Sequence, residues 1–303
     1  MNQQSRLRGA LIGLAVGDAV GTTVEFRTRG SFPPVSDMLG GGPFQLRAGE
    51  WTDDTSMALC LAASLVETGG FDAHDQMVRY CRWRDEGYMS SNGRCFDIGG
   101  TVSAALARFQ RSGDPFSGST EPHSAGNGSI MRLAPVVLFY YPDVAAVIDH
   151  AAQSSRTTHA APEAVDACRL LAAVIFKALA GQSKQEILFG DLAIGALAGG
   201  VQAIADGAYR SKSVEQIKGS GYVVESLEAA LWCFHTTDSF RDAILAAANL
   251  GQDADTTAAV CGQIAGAFYG EEGIPAEWRE RLAQRELIGS LADQLARGQS
   301  IGA

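Results

Sequence analysis

Two acidic segments concentrate the chemistry of this sequence. Trp51-Thr52-Asp53-Asp54-Thr55 leads into an apolar helix expected from Ser56 to Val66, and Gly251-Gln252-Asp253-Ala254-Asp255-Thr256-Thr257 leads into one expected from Ala258 to Tyr269. Each places two aspartates and flanking threonines at a helix N-terminus. Asp and Thr are favoured caps, and acidic side chains complement the positive end of a helix dipole. One such segment alone reads as capping. One cap needs one carboxylate, however, and each segment supplies two. If the two N-termini converge, four carboxylates share a site and repel one another. Hard divalent cations resolve that conflict, because Mg²⁺ and Mn²⁺ prefer carboxylate, hydroxyl and water oxygens. Four carboxylates and two threonine hydroxyls suit two cations ~3.5–4 Å apart. Neither segment contains His or Cys, so zinc is not expected.

The elements that must bring the segments together are helical. Gly9, Gly13, Gly17 and Gly21 recur every four residues, as do Ala258, Gly262, Gly266 and Gly270. Glycine inside a helix costs roughly 1 kcal/mol relative to alanine. Several on one face imply that another backbone approaches closely there, so two tightly buried central helices are expected. Val165, Cys168, Ala172, Ile175 and Leu179 share a helical face, with Pro162 in the first turn and Gly181 at the end. Phe240, Ile244, Leu245 and Ala248 form another, capped by Ser239 and stopped by Gly251. One more amphipathic helix is expected from about Glu277 to Arg297, after Pro275. The run Val136–Tyr141 reads either as a short strand or as the end of a buried helix. Residues 22–50, 86–98 and 113–128 are rich in loop-forming residues, and long loops in compact domains are often functional.

Composition bounds the class. The chain has 303 residues, a net charge of −10, 46% hydrophobic and 19% charged residues, as a globular protein with a large core does. A single domain spanning 1–303 is expected. No cluster of Lys and Arg supplies the basic stripe of a nucleic-acid binder. The six cysteines, Cys60, Cys81, Cys95, Cys168, Cys233 and Cys261, form no C-x-x-C pair and read as reduced core thiols. Arg6 and Arg8 ahead of the apolar stretch Ala10–Val16 faintly suggest a leader, but Asp18 interrupts it. No apolar run approaching the ~18 residues of a membrane span is read, and a cytoplasmic location is expected.

Further motifs stand in order along the chain. They are Gly13 to Ala19 (G-x-x-x-G-D-A), Val24-Glu25-Phe26, Asp97 to Thr101 (D-I-G-G-T) and Ala125 to Arg132 (A-G-N-G-S-I-M-R). Then come Thr158-His159, Gly219 to Tyr222 (G-S-G-Y) and Ile274 to Trp278 (I-P-x-x-W). With the two acidic segments, this series resembles the ADP-ribosylglycohydrolase family. Its members include the bacterial enzyme that reactivates dinitrogenase reductase and the animal ADP-ribosyl-acceptor hydrolases.

The resemblance implies an all-α, compact orthogonal multi-helix bundle with a central two-metal cleft. It implies that Thr52, Asp53, Asp54, Asp253, Asp255 and Thr256 bind two divalent cations, Mg²⁺ or Mn²⁺. Gly99, Gly100 and Thr101 precede a helix, as do Gly126, Asn127 and Gly128. Such segments present backbone N–H groups to anions, and in the family they lie along the ADP-ribose cleft. By resemblance His159 lines the ribose or phosphate region, and Ser220, Gly221 and Tyr222 lie beside the nucleotide. The expected reaction is hydrolysis at C1 of the ribose distal to adenine, with Asp97 first and Glu25 second as acid/base carboxylates.

The motif texture implies ADP-ribosyl-arginine as the acceptor. The expected partner is an ADP-ribosylated protein, with a cognate ADP-ribosyltransferase or toxin as a further one, and a monomer is expected. Two other readings remain at this stage. One is an ADP-ribose-binding or toxin-neutralising protein with little turnover. The other is a Mg²⁺-dependent prenyl-diphosphate enzyme, whose D-D-x-x-D spacing differs from the D-D-T and D-A-D-T found here.

Overall fold

The computed structural model describes residues 2–192 and 194–298. Among them are fourteen α-helices and no strand, so the all-α expectation holds. The only β-pairing among the described residues is three isolated bridges, Gly41–Leu46, Ser119–His159 and Gly126–Tyr222.

The first seven helices are α1 (Gln3–Gly21), α2 (Asp53–Thr68), α3 (Ala73–Glu86), α4 (Gly100–Ser112), α5 (Ala134–Tyr140), α6 (Val144–Thr158) and α7 (Pro162–Leu179). The other seven are α8 (Lys184–Phe189), α9 (Gly199–Ala205), α10 (Val223–Thr236), α11 (Phe240–Ala248), α12 (Ala254–Tyr269), α13 (Ala276–Arg281) and α14 (Arg285–Gly298).

The centre of the fold is the crossing of α1 and α12. Both are buried on nearly every side, as a helix apolar all round must be. Their small-residue stripes face each other antiparallel. Gly9 lies against Gly266, Gly13 against Gly262, Gly17 against Ala258 and Gly21 against Ala254. A Cβ on Gly17 would stand 2.1 Å from the carbonyl oxygen of Ala258, and one on Gly262 would stand 2.0 Å from that of Gly13. Backbone therefore packs on backbone along four turns. Because the pairing is antiparallel, the C-terminal end of α1 arrives at the N-terminal end of α12. That geometry sets Glu25 beside Asp253 and Asp255.

Helix α1, extended to Val24, is 22 residues long and contains an 18-residue window of mean hydropathy 1.3, long and apolar enough to cross a membrane by those measures. The expectation that no run reaches that length is thus corrected, but 89% of the window is buried inside the protein.

Most other helix expectations survive with adjusted ends. Ser239 caps α11 by accepting from the Asp242 N–H at 3.0 Å, and Pro162 opens α7. The ambiguous Val136–Tyr141 run is helical: Pro135 fits the first turn of α5. The two acidic helices start earlier than expected, at Asp53 and Ala254, so their aspartates lie in or at the first turn.

The helix expected over 277–297 is two helices, α13 and α14. The break at Leu282–Gln284 has a physical cause. The Ala283 N–H donates to the Gly49 carbonyl at 2.9 Å, and the Ala283 carbonyl accepts from Trp51 Nε1 at 3.2 Å. Gln284, at φ +50°, donates to the Ser90 carbonyl at 2.8 Å. Ala283 backbone groups that would continue the helix instead anchor the loop that enters Thr52, and the Gln284 side chain anchors a second loop at Ser90.

Candidate active site

A cleft of about 600 Å³ opens over the N-termini of α2, α4 and α12, within the range of small-molecule sites. Its wall includes Glu25, Asp53, Asp97, Gly99, Gly100, Thr101, Gly126, Asn127, Gly128, His159, Gly221, Asp253, Asp255 and Thr256. Thr52 and Asp54 lie buried in its floor. A slightly larger hollow, about 680 Å³, lies between α1, α13 and α14. Arg8 there pairs with Glu271 and Asp293, and neither of the two acidic segments lines it.

The acidic segments meet. The Thr52 hydroxyl lies 3.2 Å from Asp255 Oδ2, and the Thr256 hydroxyl donates to Asp54 Oδ2 at 3.3 Å. One carboxylate oxygen each of Glu25, Asp253 and Asp255 falls within a sphere of mutual distances under 4.8 Å.

The capping explanation of these aspartates fails on the geometry. Neither N-cap residue, Thr52 of α2 or Asp253 of α12, makes a side-chain cap. Other carboxylates take that role from outside the helices. Asp18, from α1, accepts from the Thr52 N–H at 2.9 Å and the Thr55 N–H at 3.0 Å. It also accepts from the Thr55 hydroxyl at 2.6 Å and is within 2.9 Å of the Thr52 hydroxyl. Glu25 Oε2 accepts from the Ala254 N–H at 2.7 Å and the Asp255 N–H at 3.2 Å. The Thr52, Thr55, Ala254 and Asp255 amides are thereby satisfied from outside the helices; Asp255 Oδ1 accepts from the Thr256 N–H at 2.7 Å, while its Oδ2 faces Thr52.

Asp18 is the residue that sequence reasoning missed. It sits in the quoted G-x-x-x-G-D-A motif. An acid in the middle of an otherwise apolar helix was the available signal.

Electrostatics agree. Burial, then the charge of Asp255, pushes the Asp53 and Asp54 carboxyls well above the usual carboxylate range. Burial raises Asp18 to about 6 and, with the charge of Asp253, Asp255 to about 7. Burial, then the charge of Asp255, also drives Glu25 and Asp97 up strongly. Asp54 Oδ1 is buried with no hydrogen-bond partner among the described residues. An oxygen-only donor set, mutual repulsion and an orphaned buried carboxylate oxygen fit a divalent cation.

The rest of the cleft is built from glycine-rich turns. Gly99 and Gly100 begin α4 with no side-chain cap on its first amides. Gly126, Asn127 and Gly128 do not directly precede a helix as expected. They form a turn in which the Asn127 carbonyl accepts from the Ile130 and Met131 N–H groups, and α5 begins only at Ala134. Asn127 N–H donates to the Gly221 carbonyl at 3.1 Å, and the Val223 N–H donates to the Ala125 carbonyl at 3.0 Å. The G-N-G and G-S-G-Y segments thus hold each other. Asn127 Nδ2 donates to Asp253 Oδ2 at 3.0 Å, which ties this wall to the acidic floor.

The members of G-S-G-Y diverge. Gly221 forms cleft wall, whereas the Ser220 hydroxyl donates to Glu225 at 2.5 Å and the Tyr222 hydroxyl donates to Glu163 at 2.6 Å.

His159 is buried in the wall and packs against Gly126 and Gly128, where a Cβ on Gly128 would come within 2.7 Å of the ring. Arg132, fully buried, donates to the Thr158 hydroxyl oxygen at 2.7 Å, and that hydroxyl lies 2.9 Å from His159 Nδ1. The tautomer in which the hydroxyl donates to Nδ1 carries the ring proton on Nε2. Burial, reinforced by the Arg132 charge, lowers the imidazole to about 3, so it stays neutral.

Comparison with known proteins agrees with this geometry. The family model described as ADP-ribosylglycohydrolase matches residues 1–301. A Pseudomonas putida protein named ADP-ribosylarginine hydrolase Tri1 is 50% identical over 96% of this chain and 77% of its own length. The ADP-ribosyl-[dinitrogen reductase] glycohydrolase of Rhodospirillum rubrum is 32% identical over 91% of this chain and 90% of its own. A solved structure described as an ADP-ribosylglycohydrolase-related protein complex superposes with a TM-score of 0.87 at 43% identity, covering 98% of this chain and 99% of that one. With the motifs, fold and cleft in place, these matches show that the chain belongs to the ADP-ribosylglycohydrolase family.

Proposed function

We propose that this protein is a divalent-cation-dependent hydrolase that removes ADP-ribose from arginine side chains of a modified protein. The observation that carries the reading is the reciprocal contact of the two acidic segments, Thr52 with Asp255 and Thr256 with Asp54. The arginine acceptor is supported by the Pseudomonas putida relative, whose name states that acceptor.

Thr52, Asp53, Asp54, Asp253, Asp255 and Thr256 are the residues to hold two cations, Mg²⁺ or Mn²⁺. When bound, such cations supply electrostatic stabilisation and orient ribose hydroxyls. The N–H groups at the start of α4 and in the Gly126–Gly128 turn are donors for the pyrophosphate. His159 Nε2–H adds a neutral donor from the same wall. Of Ser220, Gly221 and Tyr222, the cleft-wall residue Gly221 is the one to lie beside the nucleotide, since the other two turn their hydroxyls to Glu225 and Glu163.

Hydrolysis breaks the bond between C1 and the guanidine nitrogen through an oxocarbenium-like state. The oxygen of water bonds to C1, and a proton ends on the departing nitrogen. Asp97 is the first candidate to move that proton, because its raised carboxyl holds one near neutral pH. Asp97 also sits at φ +63°, a backbone conformation costly for a residue other than glycine and concentrated at functional sites. Glu25, fixed on the α12 amides, is the second candidate to move a proton.

The test is release of labelled ADP-ribose from arginine- and serine-modified substrates with Mg²⁺ and with Mn²⁺, for wild type, Asp97→Ala and Glu25→Ala. Loss of at least about 100-fold in rate is expected for Asp97→Ala. Near-wild-type rates for both variants would remove their assigned roles.

A further inference from the structure

Three phenylalanines gather where the long loops meet the acidic end of the cleft. Phe26 and Phe44 belong to the loop over 22–50, and Phe96 to the loop over 86–98. The Phe26 and Phe44 rings meet edge to face at 6.2 Å between centroids, and Phe44 and Phe96 lie 5.2 Å apart. Phe26 and Phe44 form part of the cleft wall beside Glu25, Asp53 and Asp97. None of the three rings belongs to a hydrophobic core cluster among the described residues. Phe26 is 66% exposed, the largest value among the exposed large hydrophobic side chains.

Folding alone does not account for this placement. Phe26 holds φ +61°, uncommon for a bulky residue and indicative of strain that the surroundings must fix. The fixing contacts are visible. Phe26 N–H donates to the Gln252 carbonyl at 2.7 Å, and Gln252 N–H donates to the Arg27 carbonyl at 2.7 Å. The backbone of Phe26 is thereby clamped to the residue preceding Asp253. An exposed aromatic ring is held in register with the reacting centre.

The chemistry of the occupant follows from charge. The face of a phenyl ring attracts cations, and the guanidinium group is the commonest protein partner. Carboxyl oxygens of Glu25 and Asp97 line the cleft beside the rings as acceptors for guanidinium N–H groups, and the chain as a whole carries −10. Among the described residues the protein's own cation–π contacts fall on other rings, such as Arg82 on Tyr88 and Arg132 on Tyr80. No Arg or Lys covers Phe26, Phe44 or Phe96 among them. A neutral hydroxyl acceptor gains nothing from these faces; a guanidinium gains from both rings and carboxyls.

We infer that Phe26, Phe44 and Phe96 form the acceptor subsite, an aromatic platform that binds the guanidinium of the modified arginine. The inference deepens the proposed function and rests on its arginine acceptor.

The test uses Phe26→Leu, Phe44→Leu and Phe96→Leu, which keep an apolar side chain and remove the ring face. Steady-state KM for ADP-ribosylarginine, calorimetric binding of agmatine in the presence of ADP-ribose, and calorimetric binding of ADP-ribose alone are measured. Each replacement is expected to raise KM and the agmatine Kd by about three- to five-fold, the size of an exposed cation–π contact. The Kd of ADP-ribose should stay within about two-fold, and the analogue of agmatine in which a neutral urea replaces the guanidinium should lose the ring-dependent part of its affinity. An ADP-ribose Kd that rises in step with KM would assign the rings to the nucleotide and overturn the inference. Unchanged KM and agmatine Kd would overturn it as well. If wild type releases no ADP-ribose from arginine, the functional reading fails. The agmatine measurements still decide whether the rings bind a guanidinium.

Discussion

Replacing Gly17 by alanine sets two physical effects against each other with opposite signs. On helix propensity alone, alanine is better than glycine by about 1 kcal/mol. The Cβ, however, would lie 2.1 Å from the Ala258 carbonyl oxygen, 2.6 Å from its carbon and 2.9 Å from the Ala259 nitrogen. All three are backbone atoms, so no side chain can swing away. Reaching an ordinary 3.4 Å contact needs the helices to separate by about 1.3 Å at this point, from the 2.1 Å contact. Overpacking of this kind costs about 3 kcal/mol at the upper end of its usual range. The net expectation is a loss of about 2 kcal/mol, or a fall in Tm of about 3 °C for a chain of this size.

Stability is half of the expectation. Gly17 lies one residue from Asp18 and faces the start of α12, so the same separation moves Asp253 and Asp255 relative to Asp53 and Asp54. Mn²⁺ affinity should fall at least about ten-fold, as when a residue supporting metal ligands is disturbed. Chemical denaturation and calorimetric Mn²⁺ titration read the two effects. Gly199→Ala is the control, since nothing lies within 4 Å of its Cβ position. A Gly17→Ala protein that is more stable than wild type and binds Mn²⁺ equally well would refute the close-crossing argument.

Other consequences are equally concrete. Asp18→Ala leaves the Thr52 and Thr55 amides and hydroxyls without their acceptor. It should cost about 3 kcal/mol or more in denaturation and weaken Mn²⁺ binding, as loss of a buried charged network does; a cost below about 1 kcal/mol would contradict the external-cap assignment. Asp18 and Asp255 are raised to about 6 and about 7 in the folded protein, so the folded state holds these protons more tightly than the unfolded chain. Their contribution to stability is therefore present at about pH 4 and is lost as pH climbs to about 7. Mn²⁺ requires deprotonated ligands, so the Tm gap between Mn²⁺-loaded and chelator-treated protein should widen over that interval; a gap independent of pH would count against the shared carboxylate cage. His159 works in the opposite sense. Its lowered value means that its contribution is present above about pH 6.5 and lost as pH falls toward about 3. Thr158→Val should remove the hydroxyl that donates to Nδ1, release the tautomer and weaken ADP-ribose binding about ten-fold, whereas Thr158→Ser should restore it. Nitrogen NMR of His159 checks the tautomer directly, and an unchanged Nε2–H form in Thr158→Val would contradict the relay.

What the sequence disclosed and what it withheld follow from the range of the interactions involved. The four-residue glycine stripes were legible because a helix repeats its face regularly, and the α1–α12 crossing is their direct consequence. The acidic segments were legible because each supplied one carboxylate too many for a cap. Asp18 was not assigned a role, because its partners, Thr52 and Thr55, are more than 30 residues away and belong to another helix. The break between α13 and α14 was hidden for the same reason. The amphipathic pattern continues through Ala283, and only the contacts to Gly49 and Trp51 interrupt it. Ser220 and Tyr222 share a motif with Gly221, yet their hydroxyls turn to Glu225 and Glu163. The rings of Phe26, Phe44 and Phe96 come from two loops, and loop conformation is poorly constrained by local pattern.

Anomalous diffraction from crystals grown in Mn²⁺ probes the shared cage most directly. Two peaks roughly 3.5–4 Å apart, bounded by Asp53 and Asp54 on one side and by Asp253 and Asp255 on the other, are the expected result. A manganese signal confined to one acidic segment, or no signal between α2 and α12 at saturating Mn²⁺, would contradict it.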